Sequence, residues 1–185
     1  MMRLSDENTK GGDFTFIQAS GNPKPESGAP ESTSVMYRGR LDGRHDHFMA
    51  NYDTWVDEDN NGSTDWLTDC WKHPAGNGAT QPPTEYLLPK NEWACVQWHY
   101  DSNNNEMVFW LNETELTQIH IQQTGDGCVA NTQDGMWIAP ASFSELKLGI
   151  EQYHDTAKSR TLYIDDIVID NSPVECFGNP VASKP

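Results

Sequence analysis

At 185 residues the chain has the length of one ordinary domain with a single core. Its 28 Asp and Glu against 12 Lys and Arg give a formal net charge of -16, which repels a phosphate backbone and argues against nucleic acid as a partner. No stretch approaches the roughly 20 apolar residues of a membrane helix, and the opening Met1 to Gly12 has no apolar signal core, so no membrane insertion is expected.

Residues 1–13 read as a disordered or tag-like leader, 14–178 as the jelly-roll domain and 179–185 as a C-terminal tail. FTFIQ opens the domain as a strand, and GNPKPESGAPESTS, rich in Pro, Gly and Ser, reads as a loop. From Val35 onward short period-2 or apolar runs follow one another: VMYRGRL, HFMANYDTW, EWACVQWHY, EMVFWLN, TQIHIQ, ELKLGIEQYH and RTLYIDDIVI. Turn-rich stretches such as DSNNNE, QTGDG and HDTAKS separate several of them. With no amphipathic helix, repeat or heptad, the predicted fold is all-β and antiparallel, a sandwich or jelly roll.

Strand alternation assigns faces. Tyr37 and Leu41 facing inward would turn Arg38 and Arg40 outward. Val96 and Trp98 in the core would leave Cys95, Gln97 and His99 outside. Leu148 and Ile150 are expected inside, with Gly149, Glu151 and Tyr153 opposite.

Those outward positions, with His47 and Asn51, form the polar set Arg38, Arg40, His47, Asn51, Gln97, Glu151 and Tyr153. Such residues suit β-elimination of a uronate, in which a cation or amide stabilises the carboxylate while Tyr or His moves protons. They suit hydroxyl recognition and ring stacking without chemistry equally well. A glycosidase needs two carboxylates across one bond, and no Glu-x-Asp-x-Glu-like strand is present. Trp55 and Trp71, near loops flanking the expected cleft, are the better stacking candidates among tryptophans that otherwise suit packing.

Asp57, Asp59, Asn61 and Asp65 place oxygen donors along a D-x-D-x-N-G-x-x-D run, which makes calcium the candidate metal; the plain alternative is an acidic hairpin tip. The Asp165-Asp166 pair is a second candidate calcium contact. His45, Asp46 and His47 are adjacent, but neighbours on a strand point to opposite faces, so no transition-metal site is expected there. Cys70, Cys95, Cys128 and Cys176 lack CxxC pairing, which favours disulfides over zinc and an oxidising compartment.

MYRGRL and HDHFMANYDTW, then LLPKNEWACVQWHYDSNNNEMVFWLNETEL, then LKLGIEQYHDTAKSRTLYIDDIVID with its trailing VEC, resemble in order and spacing the glucuronan-lyase-like jelly rolls, a group that includes fungal cellulose-induced secreted proteins. The W-x-C-V-x-W strand, the WLN turn and the G-x-E-x-Y to YIDDI ending carry most of it, across roughly residues 14 to 176. The resemblance implies a concanavalin A-like β-jelly roll of two antiparallel sheets, a secreted protein, a polysaccharide ligand, a candidate structural calcium and, in some members, lyase activity. It implies cleft positions at Arg38, His47, Gln97, Glu151 and Tyr153, and the pairings Cys95 with Cys176 and Cys70 with Cys128.

Two departures stand out. The chain enters near the group's third strand, as expected of a fragment, an unusual variant or a domain completed by a partner strand, and self-association through an open sheet edge is the matching expectation. After the central hairpin, where a basic residue is expected, it reads WLTDCWKHP, with Lys72 and His73 displaced. The leading expectation is a polysaccharide lyase on a uronic-acid polymer, with Tyr153 or His47 as base and acid. In that reading Arg38, Asn51 and Gln97 hold the carboxylate, and Arg40, Trp55, Trp71, His99 and Glu151 contact substrate. The alternatives are a non-catalytic carbohydrate-binding module or lectin, and a structural or assembly jelly roll.

Overall fold

The computed structural model describes residues 1–5, 12–27, 29–30, 32–43, 45–56, 61–63, 65–75, 81–123, 138–153 and 160–176; the side chains of 54–56 and 65–69 lie outside that description. Among these residues the alternating runs become eleven strands: β1 (Met2–Leu4), β2 (Phe14–Gly21), β3 (Val35–Leu41), β4 (Phe48–Val56), β5 (Asp65–Lys72), β6 (Val96–Asp101), β7 (Glu106–Leu111), β8 (Thr114–Glu115), β9 (Ile121–Gln122), β10 (Glu145–Gln152) and β11 (Leu162–Ile164). Among the described residues helix is limited to three single 3-10 turns, at Pro25–Ser27, Thr84–Tyr86 and Thr117–Ile119. No described helix is long and apolar enough to cross a membrane.

The strands form two larger antiparallel sheets. One runs β10-β2-β3-β4-β5, the other β6-β7-β8 with β9 also on β7, and β1 pairs separately with β11. Period-2 alternation gives each sheet an apolar side, and those two sides meet. Tyr37 on β3 reaches Tyr100 on β6 edge-on, with ring centroids 5.9 Å apart. Phe14, Phe16, Ile17, Tyr37, Leu41 and Tyr52 pack in one buried cluster with Met107, Phe109 and Leu111 of the facing sheet. The architecture is thus an all-β sandwich. Gly39 sits where the sheets approach: a methyl built there would come 2.6 Å from Phe16, 2.8 Å from Phe109 and 2.9 Å from Ile17.

Short-range turn chemistry sets the second sheet. Asp101 Oδ1 accepts the Asn103 N–H at 2.7 Å in the β6–β7 turn, and Asn105 takes φ 51°. Between β7 and β8, Asn112 and Glu113 both have positive φ (48° and 68°), the two-residue hairpin geometry whose twist matches that of the strands. A Cys95–Cys176 disulfide, Cα atoms 6.0 Å apart, fastens the C-terminal segment to the edge of β6, as the resemblance implied. Cys70 is buried and also disulfide-bonded; its expected partner, Cys128, lies outside the described residues, as does the 179–185 tail.

Several expectations need correction. Part of the 1–13 leader belongs to the fold: Met2–Leu4 pairs with Leu162–Ile164, burying Met2 and Leu4. DWLTDCWK, unassigned in the sequence, is the edge strand β5. TQIHIQ is a 3-10 turn followed by the two-residue β9. RTLYIDDIVI is a strand only over Leu162–Ile164, and Ile167, Val168 and Ile169 are exposed beyond it. Ile150, expected in the core, is 40% exposed because the β10–β2 register shifts between Leu148 and Glu151.

Candidate functional site

The side of the five-stranded sheet turned away from the core carries polar residues. Register places Lys147, Gln18, Arg38, Asn51 and Trp71 side by side, one from each strand in the order β10, β2, β3, β4, β5. Four inter-strand steps make this row about 19 Å long. A neighbouring row runs Glu151, Thr15, Arg40 and Met49, and another runs Glu145, Ser20, Met36 and Asp53.

Arg38 is the hub. Its Nε donates to Gln18 Oε1 at 3.3 Å, Nη1 to Asn51 Oδ1 at 2.9 Å and Nη2 to Asp53 Oδ2 at 2.5 Å, all buried. Burial alone would lower its pKa, but the hydrogen bond and charge of Asp53, aided by Tyr153 and Glu151, outweigh that and raise it. A guanidinium this deep is retained only because its donors are satisfied. Arg40 forms an ion pair with Asp13 at 3.2 Å, and its guanidinium lies 4.3 Å over the Tyr153 ring.

Tyr153 and Glu151 stand at the β10 edge. The Tyr153 hydroxyl donates to Glu151 Oε2 at 2.9 Å and lies 3.1 Å from Thr15 Oγ1. Burial raises the Tyr153 pKa, with the Glu151 hydrogen bond in the same direction and that of Thr15 opposed. At the opposite edge Trp71 is 42% exposed. The side chain of the other stacking candidate, Trp55, is outside the description.

Arg38, Arg40, Asn51, Glu151, Tyr153 and Trp71 therefore share one face. Gln97 and His99 do not join them. Both point outward as expected, but β6 belongs to the other sheet, so the core, about 10 Å thick, separates them from the polar face. Gln97 Nε2 is spent on the Val174 carbonyl of the C-terminal segment. His99 instead faces Glu106, with Nε2 3.7 Å from the carboxylate. His47 lies at the end of the polar face, fully buried and turned toward His73, with Nε2 to Nδ1 at 3.3 Å. Burial pulls its pKa down to about 4, with Asp42 opposing and His73 and His45 adding to the fall. His47 is thus less accessible than Tyr153 for any proton transfer at this face.

Gln18, Thr15, Asp53 and Asp13 were missed in the sequence. Asp53 could have been found, since it shares strand parity with Asn51; Gln18 and Thr15 are hidden by the β2–β3 register shift between Thr15 and Ile17. Of the calcium set, Asp57 and Asp59 lie outside the described residues and Asp65 has no described side chain. Asn61 is exposed on the β4–β5 hairpin tip, and its Oδ1 accepts the Ser63 N–H at 2.8 Å. Asp165 and Asp166 are exposed where β11 ends, and the Asp165 Oδ1 accepts the Asp166 N–H at 2.9 Å.

No family model matches the chain, and neither a curated protein nor a solved structure shows significant similarity to it.

Proposed function

We propose that the polar face of the five-stranded sheet recognises a polysaccharide. The observation that carries this is the cross-strand row from the exposed Lys147 to the exposed Trp71: an aromatic platform and a cation at its ends, with the buried, mutually hydrogen-bonded Gln18, Arg38 and Asn51 as the rigid polar floor between them. Charge decides the kind of sugar. Arg38, Arg40 and Lys147 are matched by Asp53, Asp13 and Glu145, which leaves Glu151 in excess. A neutral or weakly charged chain therefore fits better than a dense polyanion, and binding fits better than catalysis. An extracellular site of action, supported by the disulfides, and calcium at Asp57, Asp59, Asn61 and Asp65 belong to the same proposal.

The second reading, β-elimination of a uronate polymer, rests on the Tyr153 hydroxyl lying beside Glu151 and within the field of Arg38. It asks Tyr153 to release a proton that its surroundings hold more tightly than usual. The same resemblance that supports a polysaccharide ligand supports this chemistry.

The test is retention on insoluble xylan, cellulose and mixed β-glucan, with glucuronan and alginate followed by ultraviolet absorbance for new double bonds. Trp71→Ala is expected to weaken retention about tenfold or more, the usual cost of losing an aromatic anchor. Absence of retention on every polymer would refute recognition by this face, and new double bonds lost in Tyr153→Phe would establish the second reading instead.

A further inference from the structure

Three ligand-type side chains meet at the end of the polar face, where β3, β4 and β5 finish. Asp42 follows β3 and His47 precedes β4, and the Asp42 N–H donates to the His47 carbonyl at 2.9 Å, closing the turn between them. His73 follows β5, whose Lys72 pairs with Ala50 of β4. One ligand atom each from Asp42, His47 and His73 lies within 4.8 Å of the other two.

The spacing of the two imidazoles is informative. His47 Nε2 and His73 Nδ1 are 3.3 Å apart. Two nitrogens bound to one tetrahedral zinc at about 2.0–2.1 Å sit about 3.4 Å from each other, so this pair, which is within reach of one N–H···N hydrogen bond, needs little movement to share an ion. The His47 side chain is wholly buried, and its Nδ1 has no hydrogen-bond partner among the described residues, the closest carboxylate oxygen being Asp42 Oδ1 at 3.8 Å. With Nε2 turned to the cluster, Nδ1 is the outer nitrogen of the ring, and it makes no hydrogen bond that would hold His47 in a purely structural role. His45 extends the cluster: its ring lies 6.3 Å from that of His47, and it lines a recess of ≈ 380 Å³ together with Asp46, Gln81, Leu87, Leu88 and Lys90.

We infer that Asp42, His47 and His73 bind a divalent transition metal of the zinc class, with three protein ligands and a fourth position for water. Two imidazoles and one carboxylate suit Zn²⁺ over calcium, which takes six to eight oxygens. No local pattern around His45, Asp46 and His47 marks these three ligands, because they come from three separate strand ends. It is distinct from the acidic β4–β5 hairpin tip and does not depend on the polysaccharide reading.

The experiment uses tag-free, chelator-stripped protein titrated with Zn²⁺ by calorimetry and with Co²⁺ by visible absorption. One equivalent of zinc is expected to bind, and cobalt is expected to give the intense d–d bands of a four-coordinate site. His73→Gln changes a partly exposed ligand at the rim and should leave the fold intact while weakening zinc by about 100-fold or more, given that even outer-shell partners cost 10–100-fold. His120→Gln removes the imidazole that bridges Glu106 and Glu115 on the other sheet and should leave the affinity unchanged. Lack of stoichiometric zinc binding by the stripped parent, equal affinity in folded His73→Gln, or loss of binding in His120→Gln would each overturn the assignment.

Discussion

Replacing Gly39 by alanine tests the face-to-face packing on which the polar site depends. The added methyl would stand 2.6, 2.8 and 2.9 Å from Phe16, Phe109 and Ile17, all buried and all closer than ordinary contact. None of these atoms is the free end of a flexible chain, so relief requires ring movement in a close-packed core, which typically costs about 1–3 kcal/mol. Lower entropy of the unfolded chain returns about 0.4–1 kcal/mol. The net expectation is a loss of about 1–2 kcal/mol, or roughly 2–8 °C in Tm for a chain of this size. Urea unfolding followed by tryptophan fluorescence measures it, and a cycle with Phe109→Leu locates the cause. Removing the Phe109 ring should relieve part of the Gly39 cost, with a coupling of about 1 kcal/mol, while the contacts to Phe16 and Ile17 keep the rest. A Gly39→Ala variant as stable as the parent, or no coupling to Phe109, would refute the contact between the sheets.

Asp53→Asn keeps an acceptor for Arg38 but removes its counter-charge, so it should cost about 1–3 kcal/mol in urea unfolding while shifting retention from neutral polymers toward uronate-containing ones; unchanged preference would show that Arg38 does not contact ligand. Burial raises the pKa of Tyr37 and Tyr100 well above 10. Their contribution to stability is therefore complete below pH 10 and lost as pH climbs past it, so titration at 295 nm should show these two of the six tyrosines ionising only on unfolding. Calcium at 100 times its dissociation constant should raise stability by about 2.7 kcal/mol if the β4–β5 tip binds it, and the rise should vanish in Asp57→Asn with Asp59→Asn; a rise that survives both changes would place calcium elsewhere.

What could be read from the residues follows from what alternation encodes. In VMYRGRL the parity of Tyr37 and Leu41 sends Arg38 and Arg40 outward, and the register with Asn51 completes the hub. Parity says which side of a strand a residue occupies but not which sheet the strand joins, and Gln97 and His99 were grouped with the wrong face for that reason. Register shifts defeat it too: Ile150 is turned outward at one. In DWLTDCWK apolar residues occupy both parities, Trp66 and Cys70 on one and Leu67 and Trp71 on the other, which hides the period of two. The Asp42, His47 and His73 cluster is a product of topology, since nothing local links position 47 with position 73.

The order of strands in the five-stranded sheet also sets a timetable. The β6–β7–β8 meander pairs near neighbours through tight turns, so its contacts can form as soon as those residues are free to move. By contrast Ser20 on β2 meets Glu145 on β10 across 125 positions of chain. Closing so long a loop is entropically slow, and sandwiches dominated by such pairings fold in about milliseconds to seconds. The β10 side of the polar face, with Glu151 beside Tyr153, is therefore assembled late. Until then β2 presents an unpaired edge, and this interval is when neighbouring chains can add to it and aggregate.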